Sequence, residues 1–278
     1  GADCRKLTVL FEGGLHMLKF PKAPPPGRKQ RRAQASASEY LGCHVFEAAG
    51  IPVQATLLGV HGAGGERKLV AACRDFTGGR QLMDFVSLKN SVLACSPDGR
   101  GTELGDIMAA IAGQRIMDPR AMADRFWDMF VVYALIGNGD RDNWNWGFLY
   151  DAAGDQASLA PVYDCGACLF PAAGEADMER ILGDPAELER HARDLPLSAI
   201  KAGGQRIRYF DFMASLDHAD CNRALMRIHP RIDMGRIGAL VDAAPLTAVQ
   251  KRFYKTILRA RKERILDAAC ARLCAQGR

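Results

Sequence analysis

LIGNGDRDNWNWGFLYDAAGDQASLAPVYDCGACLFP, residues 135–171, decides how the rest of the chain is read. It contains two polar loops, each bracketed by apolar residues. The first holds Asp140 with Asn145 five positions on, and the second holds Asp164 followed by Cys165 and Gly166. Phosphoryl transfer from a magnesium nucleotide needs one carboxylate to orient and deprotonate the attacking hydroxyl. It also needs an amide oxygen and a second carboxylate to hold the metal against the phosphates. Asp140, Asn145 and Asp164 supply that set. Asp and Asn are common turn residues, so the pair in the first loop carries little by itself.

The order of elements around the loops carries more. Phe126, Met129, Phe130 and Tyr133 recur at helical spacing and predict a helix over 122–137 ahead of the first loop. A short strand over 146–150, a turn at Ala153 and Gly154, and a second strand over 159–163 then deliver Asp164 and Gly166 beside it. That succession is the helix, catalytic loop, hairpin and metal loop of a protein-kinase-like C-lobe. GNGDRDNWNWGFL followed by LAPVYDCGACLFP resembles the HipA-like serine/threonine kinase family. The order Asp-Arg-x-x-x-Asn, with Arg141 after the Asp, is also similar to the phosphoinositide kinases. The resemblance implies an α+β, bilobal protein-kinase-like fold with a small β-rich N-lobe and a larger, mainly helical C-lobe. It also exposes a departure: Asp142 stands where the family loop usually carries a His, and an Asp cannot neutralise developing negative charge.

Composition bounds the alternatives. At 278 residues, 48% hydrophobic and 25% charged, the chain is that of an ordinary globular protein with a full core. A formal charge of +5 allows an anionic ligand but falls short of the dense basic face of a nucleic-acid binder. No apolar run approaches the roughly 20 residues of a membrane span. No signal-peptide pattern opens the chain, so a cytoplasmic setting is expected. The nine cysteines are odd in number and scattered, unlike a disulfide scaffold. Cys165 and Cys168 form a CxxC, but no second CxxC or His pair sits at zinc-ligand spacing, so Cys165 reads as the middle residue of the metal loop. Between Asp164 and Ser198 there is no Ser, Thr or Tyr, so this segment offers no acceptor for an activating phosphate.

Upstream, residues 1–21 read as two strands joined at residues 12–14, with Lys19 between Leu18 and Phe20. A lone strand lysine is ordinarily a solvated edge charge; the resemblance makes it the group that reaches the ATP phosphates. It also places residues 1–6 where a phosphate loop would lie. Residues 22–38, KAPPPGRKQRRAQASAS, carry five basic residues, three consecutive prolines and no acid, and are expected to form a loop. This is either a solvated insertion or a segment that covers the phosphates or binds an acidic partner, with Ser36 or Ser38 as a self-phosphorylation site. A helix then runs from an N-cap at Ser38 to a stop at Gly50, with Leu41, Val45 and Ala48 as its stripe. Glu39 is the acid the resemblance pairs with Lys19, with Glu47 as the alternative. Strands over 51–60 and 68–73 flank a Gly-rich turn at 61–66. Cys73, Arg74, Asp75 and Phe76 are the expected hinge that holds adenine through backbone groups. This divides the chain into an N-lobe at 1–78 and a C-lobe at 79–278. Further helices are expected over 105–117, 178–182, 185–193 and 210–214. The last helix opens on a capping box from Thr247 to Gln250.

Together these residues imply ATP- and Mg2+-dependent transfer to a protein Ser/Thr hydroxyl. Asp140 would act as base, Asn145 and Asp164 would hold the metal, and Lys19, oriented by Glu39, would steady the phosphates. Full-length relatives carry an additional N-terminal subdomain, so the likeness is to the compact members. Family likeness alone allows a toxin–antitoxin role, a regulatory partner and an aminoacyl-tRNA synthetase as substrate. Direct nucleic-acid or membrane binding is not expected. The alternatives are a nucleotide-binding regulator with little or no catalysis, and a lipid or small-molecule kinase.

Overall fold

The computed structural model describes residues 4–21, 34–62, 68–93, 100–195 and 197–276. The expected phosphate loop at 1–6 lies partly outside them, and Cys4 already belongs to a strand. Residues 22–33 of the basic insertion and 63–66 of the Gly-rich turn also lie outside the described residues.

The small lobe begins with a hairpin of β1 (Cys4–Phe11) and β2 (Gly14–Pro21). Its turn places Glu12 and Gly13 at φ 47° and 71°, the left-handed region that a tight connection requires. After α1 (Ala35–Ala48), β3 (Thr56–His61) and β4 (Lys68–Arg74) complete an antiparallel sheet in the order β1-β2-β4-β3. Lys19 lies opposite Ala71, and Met17 opposite Cys73. Side chains alternate across a strand, so Lys19, Ala71 and Cys73 share one face, the face against which α1 packs.

The expected start of α1 is corrected by the structure. Ser38 is not its N-cap: the helix begins at Ala35, and Ser36 and Ser38 are buried within it. No side chain caps the first turn. Tertiary anchors stand in: the Gln34 N–H donates to Pro171 O at 2.8 Å, and Gln250 Nε2 donates to Gln34 Oε1 at 2.8 Å. The burial of both serines also removes them as accessible self-phosphorylation sites in this conformation.

Past residues 75–80 the chain forms β5 (Gln81–Asp84), α2 (Phe85–Val92), α3 (Leu104–Gly113) and α4 (Pro119–Ile136). α4 is the axis of the larger lobe. The Asp118 carboxylate caps its start by accepting from Arg120 N–H, Pro119 fills the first position, and Gly137 ends it in the left-handed conformation. Its last six residues, Val131 to Ile136, are all buried, as suits a helix that is apolar all round. β6 (Gly147–Asp151) pairs with β5 on one side and with β7 (Gln156–Leu159) on the other. The expected second strand at 159–163 is therefore displaced toward the turn. Residues beyond β7 leave the sheet because Val162 pairs instead with the small lobe, its N–H donating to Pro52 O at 2.9 Å.

The remainder is mainly helical: α5 (Glu175–Gly183), α6 (Pro185–Glu189), the hairpin β8 (Leu197–Ala202) and β9 (Gln205–Arg208), then α7 (Tyr209–Ser215), α8 (Ala219–Ile228) and α9 (Met234–Ala243). α10 (Ala248–Arg261) opens on the expected Thr247–Gln250 capping box and runs through a π-helical turn into α11 (Ala268–Gln276). The two-lobed α+β architecture expected from the resemblance is the one the chain adopts. The β8–β9 hairpin was not anticipated, although Gly203 and Gly204, at φ 59° and 78°, form the Gly-Gly turn that signals one. Among the described residues no helix is long and apolar enough to cross a membrane.

Candidate active site

Three elements meet in the cleft. β2 brings Lys19, α1 brings Glu39, and the segment after β7 brings Asp164. The Lys19 Nζ donates to Asp164 Oδ1 at 2.9 Å and lies 3.1 Å from Glu39 Oε2. Glu39 is the acid that meets Lys19, and Glu47 is engaged instead with His44 at 2.8 Å. Burial works against the Lys19 ammonium, but the charges of Glu39 and Asp164 outweigh it and hold its pKa above the usual lysine range. Burial likewise pushes the Asp164 carboxyl up, yet the charge and hydrogen bond of Lys19 win and hold it below the usual carboxylate range. Both groups are therefore charged at neutral pH. Asp164 sits at φ 58°, a left-handed conformation for a non-glycine residue. Two residues on, the Cβ of any side chain at Gly166 would stand 2.9 Å from Glu39 Oε2, so any residue larger than glycine would have to displace that carboxylate.

The first loop is built by hydrogen bonds of its own. Asn138 Oδ1 accepts the Asp140 N–H at 3.1 Å, an Asx turn that aims the following residues, and the Asn138 carbonyl accepts from the Tyr209 hydroxyl at 2.8 Å. Asn145 Nδ2 donates to Asp140 O at 3.2 Å, which leaves its Oδ1 as the atom able to meet a cation. Asp142 is half-buried and accepts the Trp144 N–H at 3.0 Å. Burial, then the nearby charges of Asp140 and Asp164, raise its pKa above the usual aspartate value. Arg206 from β9 donates to Gly139 O and, at 2.7 Å, to Ser198 O.

Arg141 joins the two loops. Its buried guanidinium donates to Asn145 O and, at 2.8 Å, to Tyr163 O, and it lies 4.8 Å from the Tyr133 ring. One cation thus fixes the loop carrying Asp140 and Asn145 to the residue immediately before Asp164. The sequence marked Arg141 only by its place after Asp140; its role as a clamp needed the carbonyls that the fold brings to it. Asn138, Asn143, Arg206 and Tyr209 were also missed. Of these only Asn138, two residues before an Asp, carried a readable turn signal.

The hinge is narrower than expected. Cys73 lies mid-sheet, opposite both Met17 and Thr56, and its thiol points at Glu39 Oε1, 3.9 Å away. Burial and Glu39 push that thiol up to about 12, so it stays neutral and lines the rear wall. The Arg74 N–H donates to Ala55 O and its carbonyl accepts from Gln54, while the Asp75 N–H donates to Leu15 O. Cys73 and Arg74 therefore have no backbone groups to spare for adenine. The Asp75 carbonyl and the backbone of Phe76, whose ring stacks on Tyr163 at 5.6 Å, are what remain of that expectation.

This geometry can be set beside known proteins. The family described as HipA-like C-terminal domain matches residues 5–223. The serine/threonine-protein kinase CtkA of Helicobacter pylori (strain J99) is 38% identical over 275 residues, 98% of this chain and 83% of that protein. The crystal structure of the H. pylori proinflammatory kinase CtkA superposes with a TM-score of 0.91 at 37% identity, covering 99% of this chain and 93% of that one. HipA in the Shewanella oneidensis MR-1 toxin–antitoxin complex with HipB and operator DNA superposes with a TM-score of 0.61 at 18% identity. The match covers 96% of this chain and 66% of that one, a likeness of fold alone.

Proposed function

Because the chain belongs to the HipA-like serine/threonine kinase family, we propose that it transfers the γ-phosphoryl group of Mg-ATP to a serine or threonine hydroxyl of a protein. The observation that carries this reading is the contact of one ammonium, Lys19, with two carboxylates from different elements, Glu39 and Asp164.

Asp164, held ionised, and the amide oxygen of Asn145 are hard oxygen donors of the kind magnesium takes together with phosphate oxygens and water. They are the residues that would hold the metal, which when bound supplies charge neutralisation to the phosphates. Glu39 keeps the Lys19 ammonium turned into the cleft, where it meets phosphate oxygens. Asp140, exposed at the mouth of the site, accepts the proton of the acceptor hydroxyl and aligns its oxygen. Arg141 holds acceptor side and metal side in one register, so the rate comes from positioning and electrostatics.

The test is γ-phosphate transfer to protein acceptors by Asp140→Ala and Asp164→Ala variants. Both should retain the fold and lose transfer, and the Asp140 variant should still show a thermal shift with Mg-ATP. Transfer by either at the parent rate overturns the assignment. A binding-only regulator is the second reading, favoured by Asp142 in place of a histidine; a Mg-ATP thermal shift without transfer by the parent would establish it. A toxin-type role, and an aminoacyl-tRNA synthetase as the acceptor, belong to this proposal through family likeness. Comparing phosphoproteomes of cells expressing the parent and Asp140→Ala tests them.

A further inference from the structure

The catalytic loop exposes an indole. Trp144 is 45% exposed, while the other two tryptophans, Trp127 and Trp146, are buried at 2% and 4%. In the run Trp144-Asn145-Trp146 one ring goes to solvent, the amide lies between, and the next ring goes to the core, stacked on Phe85 at 4.1 Å. An exposed tryptophan in a loop would ordinarily be loosely held. Here the backbone of Trp144 is pinned from both sides: its N–H donates to Asp142 Oδ1 at 3.0 Å, and its carbonyl accepts from the Tyr163 hydroxyl at 3.2 Å. Tyr163 immediately precedes Asp164, so the backbone that carries the indole is fastened to both loops of the site.

The ring also has a cationic neighbour. The Arg100 guanidinium lies 5.7 Å from its centroid. Arg100 precedes Gly101, whose carbonyl accepts from Asn143 Nδ2 at 2.9 Å and from Lys89 Nζ at 2.5 Å. These bonds tie the loop's outer rim to residues 100–101. A large, rigid, amphipathic ring with few rotatable bonds, carried on an anchored backbone, is the kind of surface that binds a partner chain at low entropic cost.

We propose that Trp144 is a substrate-contacting residue that selects an apolar side chain, aliphatic, aromatic or prolyl, one to three residues from the phosphoacceptor. This rests on the protein-acceptor reading above. Trp144 follows Asp140 in the same loop, which Asn145 closes by donating from Nδ2 to Asp140 O at 3.2 Å. An extended acceptor chain advances about 3.3 Å per residue. With its hydroxyl at Asp140, three residues of such a chain reach about 10 Å, and that is the stretch of acceptor assigned to the indole. A residue laid on the ring leaves water and gains dispersion with the indole; a charged or small residue gains neither.

The experiment is a positional-scanning peptide library, each member with one Ser or Thr, phosphorylated with Mg-ATP by the parent, Trp144→Ala and Trp144→Phe. The parent should prefer apolar residues at one position within three of the acceptor. Trp144→Ala should lose that preference with a peptide KM about tenfold higher, and Trp144→Phe should keep it. The dissociation constant for Mg-ATP, measured by calorimetry, should be the same in all three. Identical selectivity in the parent and Trp144→Ala overturns this inference and leaves the kinase reading standing. A loss in Trp144→Ala matched by an equal loss of Mg-ATP affinity also overturns it, because a damaged loop would explain both. A parent that binds Mg-ATP but phosphorylates no library member overturns the protein-acceptor reading, and with it this inference.

Discussion

Gly166→Ala adds one methyl group at the most crowded point of the cleft. The new Cβ would stand 2.9 Å from Glu39 Oε2 and 3.5 Å from Ala35 O, and the first is closer than carbon and oxygen tolerate. The backbone at 166 is not left-handed, so the cost is one of space and not of conformation. Glu39 has little room to retreat: its side chain is 2% exposed, Oε2 is 3.1 Å from Lys19 Nζ, and Oε1 faces the Cys73 thiol. Overpacking of this kind costs about 1–3 kcal/mol. In a chain of this size each kcal/mol lowers Tm by about 2–4 °C, so scanning fluorimetry should find a fall of roughly 2–12 °C. The push falls on the carboxylate that orients Lys19, and displacements of this order cost up to about a hundredfold in rate. Phosphotransfer to a protein acceptor should therefore fall by one to two orders of magnitude. Gly154→Ala, where the nearest atom is 3.7 Å away, is the control and should change neither quantity. A Gly166→Ala protein with the parent's Tm and the parent's rate would refute the account of why the metal loop carries glycine there.

Other perturbations probe the same site. Arg141→Met removes the buried donors to Asn145 O and Tyr163 O and should destabilise by about 2–4 kcal/mol in urea titrations while abolishing transfer. Gly137→Ala forces a side chain into a φ of 65° against the buried Arg261 guanidinium, and should cost more than the roughly 1 kcal/mol of the backbone alone, read as a lower urea midpoint. The pH dependence of stability should carry the mark of the Lys19–Asp164 pair. Asp164, depressed in the fold, contributes above its unfolded value near 3.8 and loses that contribution as pH falls through its folded pKa. Lys19, raised in the fold, contributes in full below 10.5 and loses it as pH rises through its folded pKa. Lys19→Met should therefore flatten both flanks of the urea-midpoint profile. Asp142 has the opposite sign for an acid: its folded pKa is raised, so its ionisation weakens the fold as pH rises past 3.8. Asp142→Asn should be more stable than the parent at pH 7 and equal to it at pH 3.

Much of the site can be read in the chain because its chemistry is local. Asp140 and Asn145 share one short loop, Asp164 and Gly166 another, and their distance along the chain is nearly their distance in space. The same holds for the Thr247–Gln250 capping box and for α4, whose apolar residues recur at helical spacing. Errors arose where a long-range contact replaced a local signal. Ser38 has the chemistry of an N-cap, yet α1 starts at Ala35 because Pro171 and Gln250 hold Gln34. Residues 159–163 have the composition of a strand, yet Val162 leaves the hairpin to bond the small lobe across the cleft. The hinge narrowed for a related reason: β4 is a central strand, so its backbone groups were already taken by neighbours no local pattern reveals.

By itself the sequence determined which residue types were present and their order along two loops, hence the chemistry available and the class of fold able to assemble it. Only the tertiary structure decided which charges meet. Glu39, favoured through the resemblance, and its alternative Glu47 share one helix, and it is packing that turns one toward Lys19 and the other toward His44. Arg141 becomes the clamp between the loops only when two carbonyls 18 residues apart arrive on one guanidinium. Helical phase and long-range approach are properties of the packed chain, because the free energy that selects them comes from burying whole faces, and no short stretch of sequence contains it.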